Sequence, residues 1–212
     1  MGSLEYIDSF TNSNTALNEF KREVASFDVK MSDAEWSHLS DVIQVKTARK
    51  KEVIFSQTQL CRHVIYLMSG ITATIYLYDD KEVVTRFFQK GNFSTNIVSA
   101  ESKSLASDIL VAITDVEYLL LPFDFFLDSF FHSNTFGLFV RKKLMGMIIE
   151  NKKNTTIKTI NDTEIKYQFL EENYPDILRH TPSKYIAKYL GVTPEGYSRF
   201  LSNRRLSEYN SM

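Results

Sequence analysis

Thr193, Glu195, Ser198 and Arg199 fall within one seven-residue stretch and bring together two hydroxyls, a carboxylate and a guanidinium. On a helix, Glu195, Ser198, Arg199 and Ser202 share one face, while Tyr197, Phe200 and Leu201 share the other. The apolar face implies burial. The polar face suits the major groove of DNA, where arginine pairs with guanine edges and a carboxylate accepts from cytosine N4. Such residues also decorate ordinary solvated helices, so the segment before them decides how they are read.

That segment, Thr181 to Val192, contains two helix starts of one kind, Thr181-Pro182 and Thr193-Pro194, each placing a hydroxyl cap before a proline at the first helical position. Gly191 stands between them and can take the left-handed conformation that ends a helix. Val192 then becomes the buried residue of a tight turn, and Ala187 is small enough for a close crossing. The expected result is a helix-turn-helix. Basic residues cluster around it: Arg179, Lys184, Lys188, Arg199, Arg204 and Arg205 face only Glu195 and Glu208, although 25 Lys+Arg nearly cancel 26 Asp+Glu over the whole chain.

Other chemistry lacks its residues. The four histidines are His38, His63, His132 and His180, with no His-x-His pair, so a metal site and a cupin-like metalloenzyme are not expected. Cys61 alone can form no intramolecular disulfide and cannot hold an iron–sulfur cluster. No phosphate-binding glycine loop, nucleophile elbow or plausible triad appears, and the chain is expected not to be an enzyme. No apolar run of about 18 residues and no leader-like N-terminus is present, which predicts a cytoplasmic protein without membrane contact.

The elements that would position these residues follow from texture along 212 residues, 43% hydrophobic and 24% charged. The first fifty residues read as helices, with a cap at Ser32 or Asp33. From about Val45 to Pro122 short β-like runs predict an antiparallel sandwich or roll: 52–55, 64–68, 71–78, 83–88 and 116–121, with Asp79-Asp80 as a hairpin turn. Beyond Pro122 the chain turns helical, and Phe136, Val140, Leu144 and Met147 form a narrow seam suited to pairing with another helix. The same spacing also serves packing on the chain's own roll. Seven phenylalanines between Phe123 and Phe139 serve as core, as a lipophilic pocket, or as a dimer contact. Asn151 to Thr159 reads as a hinge or a frayed continuation of the helix, and Asn161 as the cap of the next one, which ends before Tyr174-Pro175.

The order of roll, long helix and helix-turn-helix resembles the Crp/Fnr superfamily of transcription regulators. The segments carrying the resemblance are Val64 to Gly70, Gly91-Asn92-Phe93, Ala112 to Glu117, and Tyr174 through Arg199. The pattern Pro-x-x-Tyr-Ile-Ala-x-Tyr-Leu-Gly-x-Thr-Pro-Glu-x-x-Ser-Arg, from Pro182 to Arg199, is similar to the subgroup common in Bacteroidetes-type bacteria. The resemblance implies an α+β chain. Residues 1–130 would hold N-terminal helices and a cyclic-nucleotide-binding-like β-roll sensor, 131–160 a dimerisation helix and hinge, and 161–212 the DNA-binding domain. Thr193, Glu195, Ser198 and Arg199 match the family's DNA contacts, with Ser183, Pro194, Asn203 and Arg204 beside them; many members have an arginine where Pro194 stands. Gly196 interrupts a helix that should be rigid. Only eleven residues follow Leu201, so the usual β-hairpin wing is expected to be truncated or absent.

Effector residues by position are Phe93, Thr95, Asn96, Ala106 and Ser107. Cyclic-nucleotide binders have a carboxylate and an arginine where this chain has Asn96 and Ala106, so cyclic AMP is not expected to bind and the effector is left unknown. A haem-sensing branch uses Cys and His, but Cys61-Arg62-His63 sits outside the expected pocket, and no cofactor is assigned. Expected partners are double-stranded DNA, a second copy of the chain, and RNA polymerase. The alternative is a degenerate relative serving as a ligand-binding or protein-interaction module without specific DNA binding.

Overall fold

Continuous apolar runs such as Val64 to Met68 arise where a strand is covered on both faces, and that run is buried along its length. The computed structural model describes residues 2–79, 81–132 and 135–210, and the side chains of residues 14–77, 79, 81–132 and 135–207. Two N-terminal helices, α1 (Gly2–Ser26) and α2 (Asp33–Val42), lead into the strands. Ser32 caps α2 in a reciprocal box with Glu35, as the sequence indicates.

One sheet has the order β1 (Gln44–Ala48), β8 (Val116–Pro122), β3 (His63–Ser69), β6 (Phe93–Ser94). The other has the order β2 (Val53–Phe55), β7 (Asp108–Ala112), β4 (Ile71–Tyr78), β5 (Lys81–Gln89). All pairings are antiparallel. A short helix, α3 (Ile97–Ser102), lies between β6 and β7. The interior of the roll holds Ile65, Leu67 and Val116 from the first sheet against Phe88, Leu110 and Ala112 from the second. Gly70 joins β3 to β4 at φ +80°, where a side chain would come within 2.3 Å of the Asp115 carbonyl oxygen, so only glycine fits. Asp79 turns β4 into β5 with φ 46°; Asp80 lies outside the described residues.

The outer face of the first sheet, with Val64, Tyr66, Met68 and Leu119, is covered by Phe20 and Val24 of α1, Leu39 of α2, Phe126 of α4 (Phe123–Phe131), and Phe136, Phe139 and Val140 of α5 (Thr135–Thr159). Here the sequence reading needs correction. Phe136 and Val140, at 4% and 0% exposure, are sealed in the chain's own core, and Leu144 and Met147 pack against it. The seam meets the roll, not a second helix. The apolar residues that α5 leaves outside are Leu138, Met145, Ile148 and Ile149, the last three 54–62% exposed. Helix α5 continues unbroken through Asn151 to Thr159, so the only break before the next helix falls at Ile160 to Asp162.

The outer face of the second sheet is covered by the C-terminal helices. Ile71, Ala73, Ile75, Val84 and Phe87 share one buried cluster with Leu170 of α6 (Thr163–Asn173), Ile177 of α7 (Pro175–His180), Ile186 and Tyr189 of α8 (Ser183–Leu190), and Tyr197 of α9 (Pro194–Asn210). The rings of Phe87 and Tyr189 lie 5.2 Å apart, and Lys188 pairs with Glu82. Asp162, not Asn161, caps α6, by accepting from the Ile165 N–H at 3.1 Å. Among the described residues α9 runs to Asn210 with no strand after it. No helix of the described residues is long and apolar enough to cross a membrane.

Candidate nucleic-acid interface and effector pocket

Helix α8 ends where Gly191 takes φ 78°, its N–H donating to the Ala187 carbonyl, and the Val192 N–H donates to the same oxygen at 3.0 Å. Ala187 is fully buried at the crossing. The Thr193 hydroxyl oxygen accepts the Gly196 N–H at 3.0 Å, and the Tyr197 N–H donates to the Thr193 carbonyl at 2.9 Å, which fixes the start of α9. A Cβ at position 196 would come within 3.2 Å of that hydroxyl, a tight contact that the glycine avoids. The matching cap predicted at Thr181 is not formed. The Thr181 hydroxyl is buried without a hydrogen-bond partner among the described residues, and Pro182 stands at the cap position of α8.

Tyr197 is buried and Phe200 and Leu201 are half-buried on the inner side of α9, while Thr193, Pro194, Glu195, Ser198, Arg199 and Asn203 are exposed. Ser183 is exposed at the first turn of α8. These predicted residues therefore lie open together, with Arg199 in no ion pair among the described residues. Arg204 does not join them. Its side chain is 19% exposed, donates to Glu171 at 2.6 Å, lies 3.6 Å from Glu164, and covers the Tyr167 ring at 4.5 Å. Burial opposes its charge, but the Glu171 hydrogen bond and the two carboxylates outweigh that and raise its pKa. Arg204 fastens α9 to α6, and Arg205 is the exposed cation at this end.

The predicted effector residues divide. Phe93 and Thr95 line a cavity of about 460 Å³ between the roll, α4 and α5. Asn96, Ala106 and Ser107 do not line it. Asn96 caps α3 by accepting the Ser99 N–H at 2.8 Å, and its amide donates to Asp108, whose pKa desolvation raises against that bond. Ala106 is buried, and the Ser107 carbonyl accepts from Gln57 at 2.7 Å. The segment that carries charges in cyclic-nucleotide binders is thus closed on itself by hydrogen bonds. Cys61 is also turned inward, its sulfur 3.4 Å from both the Thr95 hydroxyl and the His63 carbonyl. Sequence reasoning missed Arg86 and Phe88, which line the cavity from β5. Nothing in their spacing distinguishes them from an ordinary strand.

No protein-family model and no curated protein matches the sequence. Solved structures do match. A mutant of CooA from Carboxydothermus hydrogenoformans gives a TM-score of 0.63 at 18% identity, covering 82% of this chain and 81% of that one. FixK2 from Bradyrhizobium japonicum gives 0.63 at 18%, covering 79% and 86%. A transcriptional regulator of the Crp/Fnr family from Eubacterium rectale gives 0.61 at 16%, covering 84% and 85%. At these identities the likeness shows the fold: antiparallel sheets of a cyclic-nucleotide-binding-like domain followed by a C-terminal helical domain, as in Crp/Fnr regulators.

Proposed function

We propose that this chain is a cytoplasmic, sequence-specific DNA-binding regulator of the Crp/Fnr type, of the kind common in Bacteroidetes-type bacteria. The observation that carries the reading is the open face of α9, where Thr193, Glu195, Ser198 and Arg199 stand on a helix fixed by the Gly191 turn and the Thr193 cap. A duplex is the surface that a helix of this composition fits. The chain acts as a homodimer, with Leu138, Met145, Ile148 and Ile149 of α5 as the seam. Leu138 and Met145 are seven residues apart and Ile149 four further on, the repeat of two paired helices. Two copies of α9 then read successive major grooves about 34 Å apart on a pseudo-palindromic site.

A signal received by the roll biases the orientation of the helix pair, to no greater extent than the effector's difference in affinity for the two states. Cyclic AMP is not that effector, because neither Asn96 nor Ala106 supplies a charge to the ribose or the phosphate. RNA polymerase is the partner through which a bound regulator would act.

The test is selection of bound sequences from random duplex DNA at about 150 mM salt, with Arg199→Ala in parallel. A two-fold symmetric motif that is lost in the variant supports the proposal. No enrichment by folded protein overturns it in favour of an interaction module.

A further inference from the structure

The cavity between the roll, α4 and α5 has a wall of unusual composition. Phe88, Phe93, Phe126, Phe130, Leu144 and Met147 give it an apolar lining, and its volume of about 460 Å³ lies within the ordinary range of small-molecule sites. Two charged residues also line it, Arg86 from β5 and the exposed Glu101 from α3. The Arg86 side chain is 19% exposed, and its Nε and Nη2 atoms are buried with no hydrogen-bond acceptor among the described residues. The nearest carboxylate oxygen, Glu150 Oε2, is 3.9 Å from Nη2, too far for a hydrogen bond. The guanidinium carbon lies 4.9 Å from the centroid of Phe88, itself part of the wall.

Buried N–H groups are nearly always paired, and a guanidinium pairs best with a flat two-oxygen anion. We infer that the cavity binds a hydrocarbon carboxylate, its apolar body among the phenylalanines and its carboxylate on Arg86. This deepens the proposed function by naming the effector class, and the link to DNA binding rests on that reading.

The same guanidinium borders the joint with the DNA-reading helices. On its other side a small crevice is lined by Asn154, Lys158, Tyr174 and Tyr189, from α5, the junction of α6 and α7, and α8. A carboxylate on Arg86 competes with Glu150 for its charge and weakens its repulsion of Lys158. Cavity and reading head thus share one cation.

Calorimetric titration of the full chain, without DNA, uses decanoate and octanoate below their micelle thresholds, decanol, and 4-phenylbutanoate. One decanoate per chain is expected, tighter than decanol by about tenfold, and tighter than octanoate by about fourfold per methylene. Arg86→Met brings the acid down to the affinity of the alcohol, with circular dichroism confirming its fold. If that variant does not fold, the acid-over-alcohol preference of the unaltered protein decides. Saturation by decanoate points to an alkyl source and by 4-phenylbutanoate to an aryl one; either supports the inference. Equal binding of acid and alcohol, or no binding by folded protein, overturns it. Because no DNA is present, failure here leaves the regulator reading standing, and failure of DNA selection leaves this result standing.

Discussion

The Lys158 ammonium lies 4.3 Å from the ring centroid of Tyr189, so a cation of the long helix rests on an aromatic face of the helix-turn-helix. Its amine also donates to the Thr85 carbonyl of β5, tying three parts of the chain at one point. Burial, followed by the positive fields of Arg86 and Lys166, pushes its pKa down to about 8.

A base with a lowered folded pKa binds fewer protons when folded than when unfolded, so folding is opposed at neutral pH and becomes more favourable as pH rises. The window opens near the folded value of about 8 and extends toward the ordinary 10.5. Urea unfolding between roughly pH 7.5 and 9.5, below the titration of ordinary tyrosines, is expected to show stability rising by about 2 kcal/mol, and Lys158→Met is expected to flatten the curve. A flat profile in the unaltered protein would contradict this placement of the ammonium.

Arg199→Ala is expected to weaken binding to the selected operator by about 1–3 kcal/mol and to relax the preference at one base pair of each half-site. Arg205→Ala is expected to weaken all sequences alike and to lower the slope of log affinity against log salt by about 0.9. Identical effects of the two variants on every sequence would show that Arg199 contacts phosphate only.

Two faces of α5 are expected to respond differently. Met145→Glu with Ile149→Glu should leave each chain folded and shift it to monomer, as read by sedimentation at a concentration where the unaltered protein is a dimer. Phe136→Ala should cost about 3–5 kcal/mol of folding stability, the range for truncating a buried phenylalanine. Retention of the dimer in the double variant would place the subunit contact elsewhere.

Arg204→Ala is expected to destabilise the chain by about 1.5–3 kcal/mol, because Glu171 and Glu164 lose a charged donor and Tyr167 its cover. Lysine should restore only part of this, since it lacks the planar fork. DNA affinity measured well below the melting temperature should change little. A large loss of affinity with unchanged stability would return Arg204 to the DNA surface.

Local patterns were legible in the sequence, and long-range partners were not. Gly191, Ala187 and the two faces of α9 are set by neighbours within about two helical turns, and the structure places them as their types indicate, with Val192 half-buried rather than buried. The run Ile71 to Tyr78 was legible as a strand because turn residues bound it on both sides. By contrast, the spacing of Phe136, Val140, Leu144 and Met147 indicates burial without specifying the surface that buries them, and the roll proved to be that surface. Arg204 counted as one more basic residue because its partners, Glu164 and Glu171, lie 40 and 33 positions upstream. Strand β7 was missed because the exposed loop before it, with Lys103 at φ 53°, carries none of the usual turn glycines. Arg86 is legible only once the cavity is known.

The apolar coat on the outer face of β4 and β5 has a consequence for inheritance as well as for stability. Because Ile186, Tyr189 and Leu170 complete a core begun by Ile71, Ala73 and Val84, the C-terminal helices and the roll should melt in one cooperative calorimetric transition. A fragment cut after α5 would expose that sheet face and self-associate. Substitutions on the outward side of α9 are therefore free of the core, whereas α8 and β5 must change together. Exchanging the C-terminal helices for those of a distant relative should fail unless the sheet beneath them is exchanged too.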